Sequence, residues 1–222
     1  MSAVSKIADV QILKMEKTGE APTRPWLFLY RLTLQSRFSD GEVSRPYAWD
    51  AVMRKGLDAV AIILRAEVDN KECLLLRTAV RPPLLLRETA TLPVRDNRRP
   101  ICLWELPAGI IEEGDTGEEG ILSRAAIETL EETGYDLPVT SFSIAGTAPF
   151  ISPGVIPERL FYATARVLEP HMRGEPGGDG SAVEEGACVS WVPLDRVLAM
   201  CEDGTIEDMK TELGIRRILS MK

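Results

Sequence analysis

Apolar positions fall along this chain in two rhythms. Near the N-terminus Val10–Leu13 is a short apolar run, and Trp26–Leu34 (WLFLYRLTL) alternates in part, as a half-covered strand does. Ser39-Asp40-Gly41 reads as a turn, followed by an extended piece from Val43 to Val52. The rhythm then changes. Leu57–Leu64 (LDAVAIIL) is almost unbroken, the pattern of a strand covered on both faces, and Glu72–Arg77 is its hairpin partner across Val68-Asp69-Asn70. Pro82, Pro83, Pro93 and Pro100 mark an irregular stretch of about twenty residues, long for a compact domain and of the kind that often carries function. Ile101–Leu106, Ser141–Thr147, Leu160–Val167 and Cys188–Val192 read as further strands. Helical spacing covers about Glu118 to Thr133, where Gly134 is a natural stop. A second helix starts at Pro193-Leu194-Asp195, and a last one covers about Ile206–Met221. Residues 170–182 (PHMRGEPGGDGSA) have the composition of a loose surface loop. Several strands precede each helix, which predicts an α/β (α+β) chain with a mixed sheet and helices packed on it. The predicted division is an N-terminal β extension over 1–55 and a main domain over 56–222.

Composition narrows the partners. With 222 residues the chain can bury a full core, and its formal net charge of −8 disfavours polyphosphate backbones, so nucleic-acid binding is not expected. The cysteines, Cys73, Cys102, Cys188 and Cys201, form no CxxC pair, which argues against zinc. Two or three of them sit in apolar runs and read as buried thiols, the usage of a reducing, cytoplasmic setting. The first residues, MSAVSKIADVQILKMEK, hold no signal-like apolar stretch, and no run approaches the ~20 apolar residues of a membrane span.

The chemically informative segment is Leu103–Tyr135, LWELPAGIIEEGDTGEEGILSRAAIETLEETGY. Glu128, Glu131 and Glu132 stand at i, i+3 and i+4, so they share one helix face and repel one another. One reading is a solvated acidic face. The other is a site for a hard cation such as Mg2+, which takes oxygen ligands and offsets the repulsion. Ala125, Ala126 and Leu130 are expected to keep the rest of the helix fit for packing, and the loop from Gly109 to Gly117 could fold over the acidic face.

This segment resembles the signature of the Nudix hydrolases, G-x5-E-x7-R-E-U-x-E-E-x-G-U, where U is aliphatic. Gly109 matches its first glycine, and Glu128, Glu131, Glu132 and Gly134 match its later glutamates and closing glycine at the correct mutual spacing. The resemblance implies an α/β/α sandwich with a mixed central sheet. It makes Glu128 and Glu132 metal ligands together with the carbonyl of Ala108, with Glu131 assisting, and Mg2+ (Mn2+ possible) the cofactor. Three departures stand out. The segment from Gly109 to Glu128 is four residues longer than the signature, so either Asp115 or Glu119 takes the loop-glutamate position. Ile127 replaces the signature arginine, and Arg124, one turn earlier, is the candidate substitute. Thr129 stands where an aliphatic is usual.

Other stretches resemble the branch of that family that cleaves ADP-ribose and NDP-sugars: the Phe38–Asp40–Gly41 turn, the MRKGLDAVAIIL run, RTAVRPP, SPGVIPERLFYATA and the C-terminal segment from Glu184. The resemblance implies a small-molecule nucleoside diphosphate derivative as substrate, cleaved at its pyrophosphate. It gives Arg54 and Arg81 substrate-binding roles and makes Glu158 the candidate general base. It also implies a homodimer formed through the N-terminal strands, where Trp26, Phe28 and Trp49 read better as interface than as base-stacking residues. The rival expectation is a nucleotide-binding or regulatory protein of the same fold with little catalysis, for which Ile127 is the best support. An isomerase or a triphosphate-cleaving enzyme of that fold is a third.

Overall fold

Strand β4 (Ala59–Val68) lies deep in the core, its residues from Val60 to Leu64 having no solvent exposure at all. It turns into β5 (Lys71–Val80) through Asp69 and Asn70, both at positive φ, the conformation that a two-residue hairpin requires of its central pair. The chain is described here from a computed structural model covering residues 7–18, 26–94, 98, 101–178 and 187–220. It divides into two compact units, Met1–Leu57 with Phe150–Arg159, and Asp58–Pro149 with Leu160–Lys222.

The first unit is built on an antiparallel three-stranded sheet in the order β1–β2–β3, of Ile7–Thr18, Leu27–Phe38 and Tyr47–Arg54. The first of these far outruns the short strand expected at Val10–Leu13 because it pairs along nearly the whole of its neighbour. The turn at Ser39-Asp40-Gly41 forms as expected, with Gly41 at φ 93 and the Asp40 carboxylate accepting from the Glu42 amide at 3.0 Å. Phe150–Arg159 adds strand β9 (Phe150–Ser152), paired with the first residues of the long strand β10 (Ile156–Arg166).

The second unit is a mixed α/β sandwich. Its remaining strands are β6 (Cys102–Glu105), β7 (Ala108–Ile110), β8 (Ser143–Ile144) and β11 (Val189–Pro193), and its helices are α1 (Gly117–Thr133), α2 (Leu194–Glu202) and α3 (Met209–Ser220). The strand order is β11–β5–β4–β10–β8, with β10 parallel to β4 and the other pairings antiparallel. Alternation along β4 sends Val60, Ile62, Leu64 and Ala66 into a core with Ala125, Tyr135, Phe142 and Ala163 on the α1 side. α2 and α3 cover the other face, burying Val197, Ile215 and Ile218. Gly214 of α3 lets the helix approach Leu106 and the Tyr162 ring, which lie 2.6 and 3.1 Å from where a Cβ would sit.

The hairpin ladder between β4 and β5 stops at Arg65–Leu74. Beyond it β5 pairs with β6, and the start of β4 pairs with β7. The segment Cys102–Ile110 therefore sits where the two arms of the hairpin separate.

Four expectations are corrected. Leu130 is exposed: the covered side of α1 runs through Ala125, Thr129, Glu132 and Thr133, so one of the glutamates is on the packed side instead of the solvated one. The strand expected over Ser141–Thr147 shrinks to Ser143–Ile144, because a 3-10 turn occupies Val139–Ser141. Of the cysteines, only Cys73 is buried; Cys102 and Cys188 are exposed near strand ends and Cys201 is half-buried. The loop expected to be loose is anchored over its described part, up to 178, by the amides of Gly174 and Gly178 on the carbonyls of Gly134 and Glu131, each at 2.9 Å. Tyr135 holds it as well, donating its hydroxyl to the carbonyl of Pro170. Residues 179–182 of that expectation lie outside the described residues.

Candidate active site

The site is built on the contact between the C-terminal half of α1 and β7. Gly134 ends the helix in the left-handed conformation, φ 77, and its amide closes the last turn on Leu130. Glu128 and Glu132, one turn apart, project toward successive residues of the strand. The Glu128 carboxylate fills the space that a side chain on Gly109 would need, its Oε1 lying 2.0 Å from that ideal Cβ. Glu132 accepts a hydrogen bond from the Ala108 amide at 2.9 Å through Oε2, while Oε1 pairs with the guanidinium of Arg77. Thr129 is fully buried between them and turns its hydroxyl back to the Ala125 carbonyl at 2.6 Å. A backbone acceptor on its own helix satisfies that polar group, which is how a threonine serves where an aliphatic residue is usual.

At the other end of the acidic stripe Arg124 is committed to the loop. It donates from Nε to Asp115 at 2.8 Å and lies 3.3 Å from Glu112 and 3.9 Å from Glu128. Asp115 also accepts from the Glu112 amide at 2.9 Å, so it folds the loop onto the helix, whereas Glu119 is exposed. Burial works to raise the Asp115 pKa, but hydrogen bonds from Arg124 and the Glu112 amide outweigh it and hold the carboxyl below its ordinary value. Ile127, in the place of the signature arginine, is 42% exposed and faces neither network.

Arg81 stands at the end of β5 with its side chain about half exposed, donating from Nε to Glu105 at 2.8 Å in a two-pronged pair. Glu105 is almost completely buried and also receives Lys210 of α3 at 3.2 Å. Asp208 caps that helix, accepting from the Thr211 amide and hydroxyl at 3.0 and 2.7 Å and from Lys210. In the first unit Arg54 and Glu158 pair with each other at 2.7 Å, both largely buried, and Arg54 also donates to the Leu57 carbonyl at 3.2 Å.

The structure thus joins the expected residues into three groups: Ala108, Glu128 and Glu132; Arg124 with Asp115; and Arg54 with Glu158. Glu131 is half-buried, and its carbonyl rather than its carboxylate has the described contact. Sequence reasoning missed Arg77, Glu105 and Lys210. Arg77 could have been found, since an arginine within the apolar run CLLLRTAV has to meet an anion if that strand is covered.

No family model matches the sequence, and no curated protein matches it at the level of sequence. Among solved structures, one described as "Crystal structure of ADP compounds hydrolase" superposes with a TM-score of 0.64 over 98% of this chain and 96% of that one, at 14% sequence identity. The fold is shared with that hydrolase. At this identity the likeness is one of architecture, and it spans both units of the chain.

The donor set suits a hard divalent cation. It consists of carboxylate oxygens with a backbone strand beside them, without thiols or imidazoles, and Gly109 leaves the space in which the Glu128 carboxylate rests. Among the described residues no three acidic, histidine or cysteine side chains converge closely enough to enclose an ion; Glu132 is paired with Arg77.

Proposed function

We propose that this chain hydrolyses the pyrophosphate bond of a nucleoside diphosphate derivative, ADP-ribose or an NDP-sugar, to a nucleoside monophosphate and a sugar phosphate. The observation that carries this reading is the delivery of Glu128 and Glu132 onto adjacent residues of one short strand, Gly109 and Ala108. A solvated acidic face would point both outward, at far lower desolvation cost. Their spacing with Glu131 and Gly134 is that of the Nudix signature, and the shared architecture with a hydrolase of ADP compounds supports the same reading.

Glu128, Glu132 and the Ala108 carbonyl would hold Mg2+ or Mn2+, with Glu131 assisting. When bound, the metal neutralises charge on the pyrophosphate and activates water. The protein supplies the rest. Arg81, steadied by Glu105, orients a phosphate or ribose through its exposed side. Arg124 and Asp115 keep the loop folded against the helix beside Glu128. Glu158, the candidate general base by resemblance, has its carboxylate held in one orientation by Arg54. Apolar residues exposed on the first sheet, including Trp26, Leu29 and Trp49, support a homodimer formed through that sheet. The free cysteines support a cytoplasmic setting. Among the described residues no helix is long and apolar enough to cross a membrane.

One observation favours a second reading, a nucleotide-binding protein with little catalysis: Glu132 is already neutralised by Arg77. A substrate panel decides between them. ADP-ribose, several NDP-sugars, NADH, diadenosine polyphosphates and dNTPs are incubated with Mg2+ or Mn2+, and released monophosphate is read. ADP-ribose or an NDP-sugar is expected to turn over, and Glu132→Gln to remove that turnover. Binding without product in every arm, or near-wild-type hydrolysis by Glu132→Gln in saturating Mg2+, overturns the proposal.

A further inference from the structure

Arg77 is the one cation in the interior of β5, and it is 5% exposed. Its register partner across the sheet is Glu105. Its guanidinium reaches up to α1 and takes Oε1 of Glu132, itself 9% exposed, while the Ala108 amide takes Oε2. Both oxygens of this carboxylate are therefore engaged by protein donors. The positions on α1 itself offer no equivalent. Ile127 carries no charge and faces solvent, and Arg124 is held by Asp115 and Glu112 at the far end of the stripe. A guanidinium stays protonated at any ordinary pH, so this positive charge is permanent.

We propose that Arg77 is the resident counter-charge of Glu132, a positioning residue that folds the carboxylate onto Ala108 in the metal-free protein and opposes its use by a divalent cation. This rests on the reading of Glu132 as a metal ligand. The physical content is competition. A buried carboxylate needs a positive partner, and a guanidinium and a divalent ion cannot both sit against it without repelling each other at low dielectric. The charge on the strand beneath guards the last glutamate of the stripe. If the three glutamates only repelled one another, Glu132→Gln would leave the metal-free protein as stable or more so; with Arg77 in place it removes an anionic partner of a buried cation and lowers stability.

The test uses the full chain with Arg77→Met and Arg77→Lys, each alone and combined with Glu132→Gln. Thermal melting is followed in EDTA and across a Mn2+ series. In EDTA, Arg77→Met is expected to lower Tm by about 6 °C or more in the otherwise native chain, and by much less alongside Glu132→Gln. The Mn2+ concentration at half-maximal stabilisation should fall about tenfold in Arg77→Met, with Arg77→Lys between it and the native chain. Equal losses in both backgrounds, or a midpoint that is unchanged or moves to higher Mn2+, overturn the proposal while leaving the hydrolase reading intact. No Mn2+-dependent rise in any variant removes the metal reading and this proposal with it. If Arg77→Met alone does not fold, the double variant and Arg77→Lys still report the coupling.

Discussion

The two sheets of this protein use similar apolar content to opposite ends. In the second unit β4 is buried on both faces, and its apolar run is almost continuous. In the first unit β2 carries leucines, two phenylalanines and a tyrosine, yet Ser36 is its one buried position. Leu27, Leu29, Trp49 and Met15 of that sheet are all exposed. The pairing itself is sound, with β2 in continuous register with β3. What differs is the cover. Helices lie on both faces of β4, and burial of a side chain follows from the layer stacked on the strand, not from the strand's own composition. Between these extremes is the rim around α1, where Arg124 and Asp115 are mostly but not fully withdrawn from water.

The comparison breaks most easily at its buried end. Ile62→Ala should destabilise the chain by about 2–5 kcal/mol, since it deletes methyl groups from a close-packed layer that cannot collapse. Urea unfolding would measure it, and a loss below about 1 kcal/mol would mean that the layer over β4 is looser than the burial of Ile62 shows.

At the rim the effect is smaller and depends on pH. The Asp115 carboxyl is held below its ordinary pKa, so the stability it contributes is present above the unfolded-state value and lost as pH falls through the folded one. The Tm difference between the native chain and Asp115→Asn should be constant from pH 7 down to about pH 5 and then close in more acidic solution. A gap that persists undiminished at pH 2 would assign the loss to the loop's hydrogen bonding instead of to charge.

At the open end Leu29→Ala should change the stability of the isolated chain by no more than about 0.5 kcal/mol. In the homodimer proposed above the same substitution should instead weaken association, seen as a melting temperature that falls with dilution more steeply than in the native chain. Sedimentation that gives a 24.5 kDa particle at micromolar concentration for both proteins would leave the first sheet open and remove the dimer.

Much of the candidate site was legible because its signal is local. E-x-x-E-E-x-G fixes three carboxylates on one turn of helix, and Gly134 fixes where the helix stops. Which way the stripe points was not legible. A helix with Ala125 and Thr129 on one flank and Ile127 and Leu130 on the other can be packed through either, and only the sheet beneath decides. The same holds for Arg124, which is near Glu128 by helical spacing but is claimed by Asp115, a partner nine residues away in the preceding loop.

By itself the sequence determined the local geometry: the order of strands and helices, the hairpin around Asp69-Asn70, the helix stop and the clustering of acidic groups. These follow from backbone preference and short-range periodicity, which act over a few residues. The tertiary structure decided the charge pairing. Arg77 and Glu132 lie 55 residues apart, as do no two residues that periodicity can relate. They meet because the β4–β5 hairpin opens beyond Leu74 and admits β6 and β7, bringing α1 down onto the strand. A buried charge takes its partner from whatever the fold carries to it, and that choice is made by packing, after the elements exist.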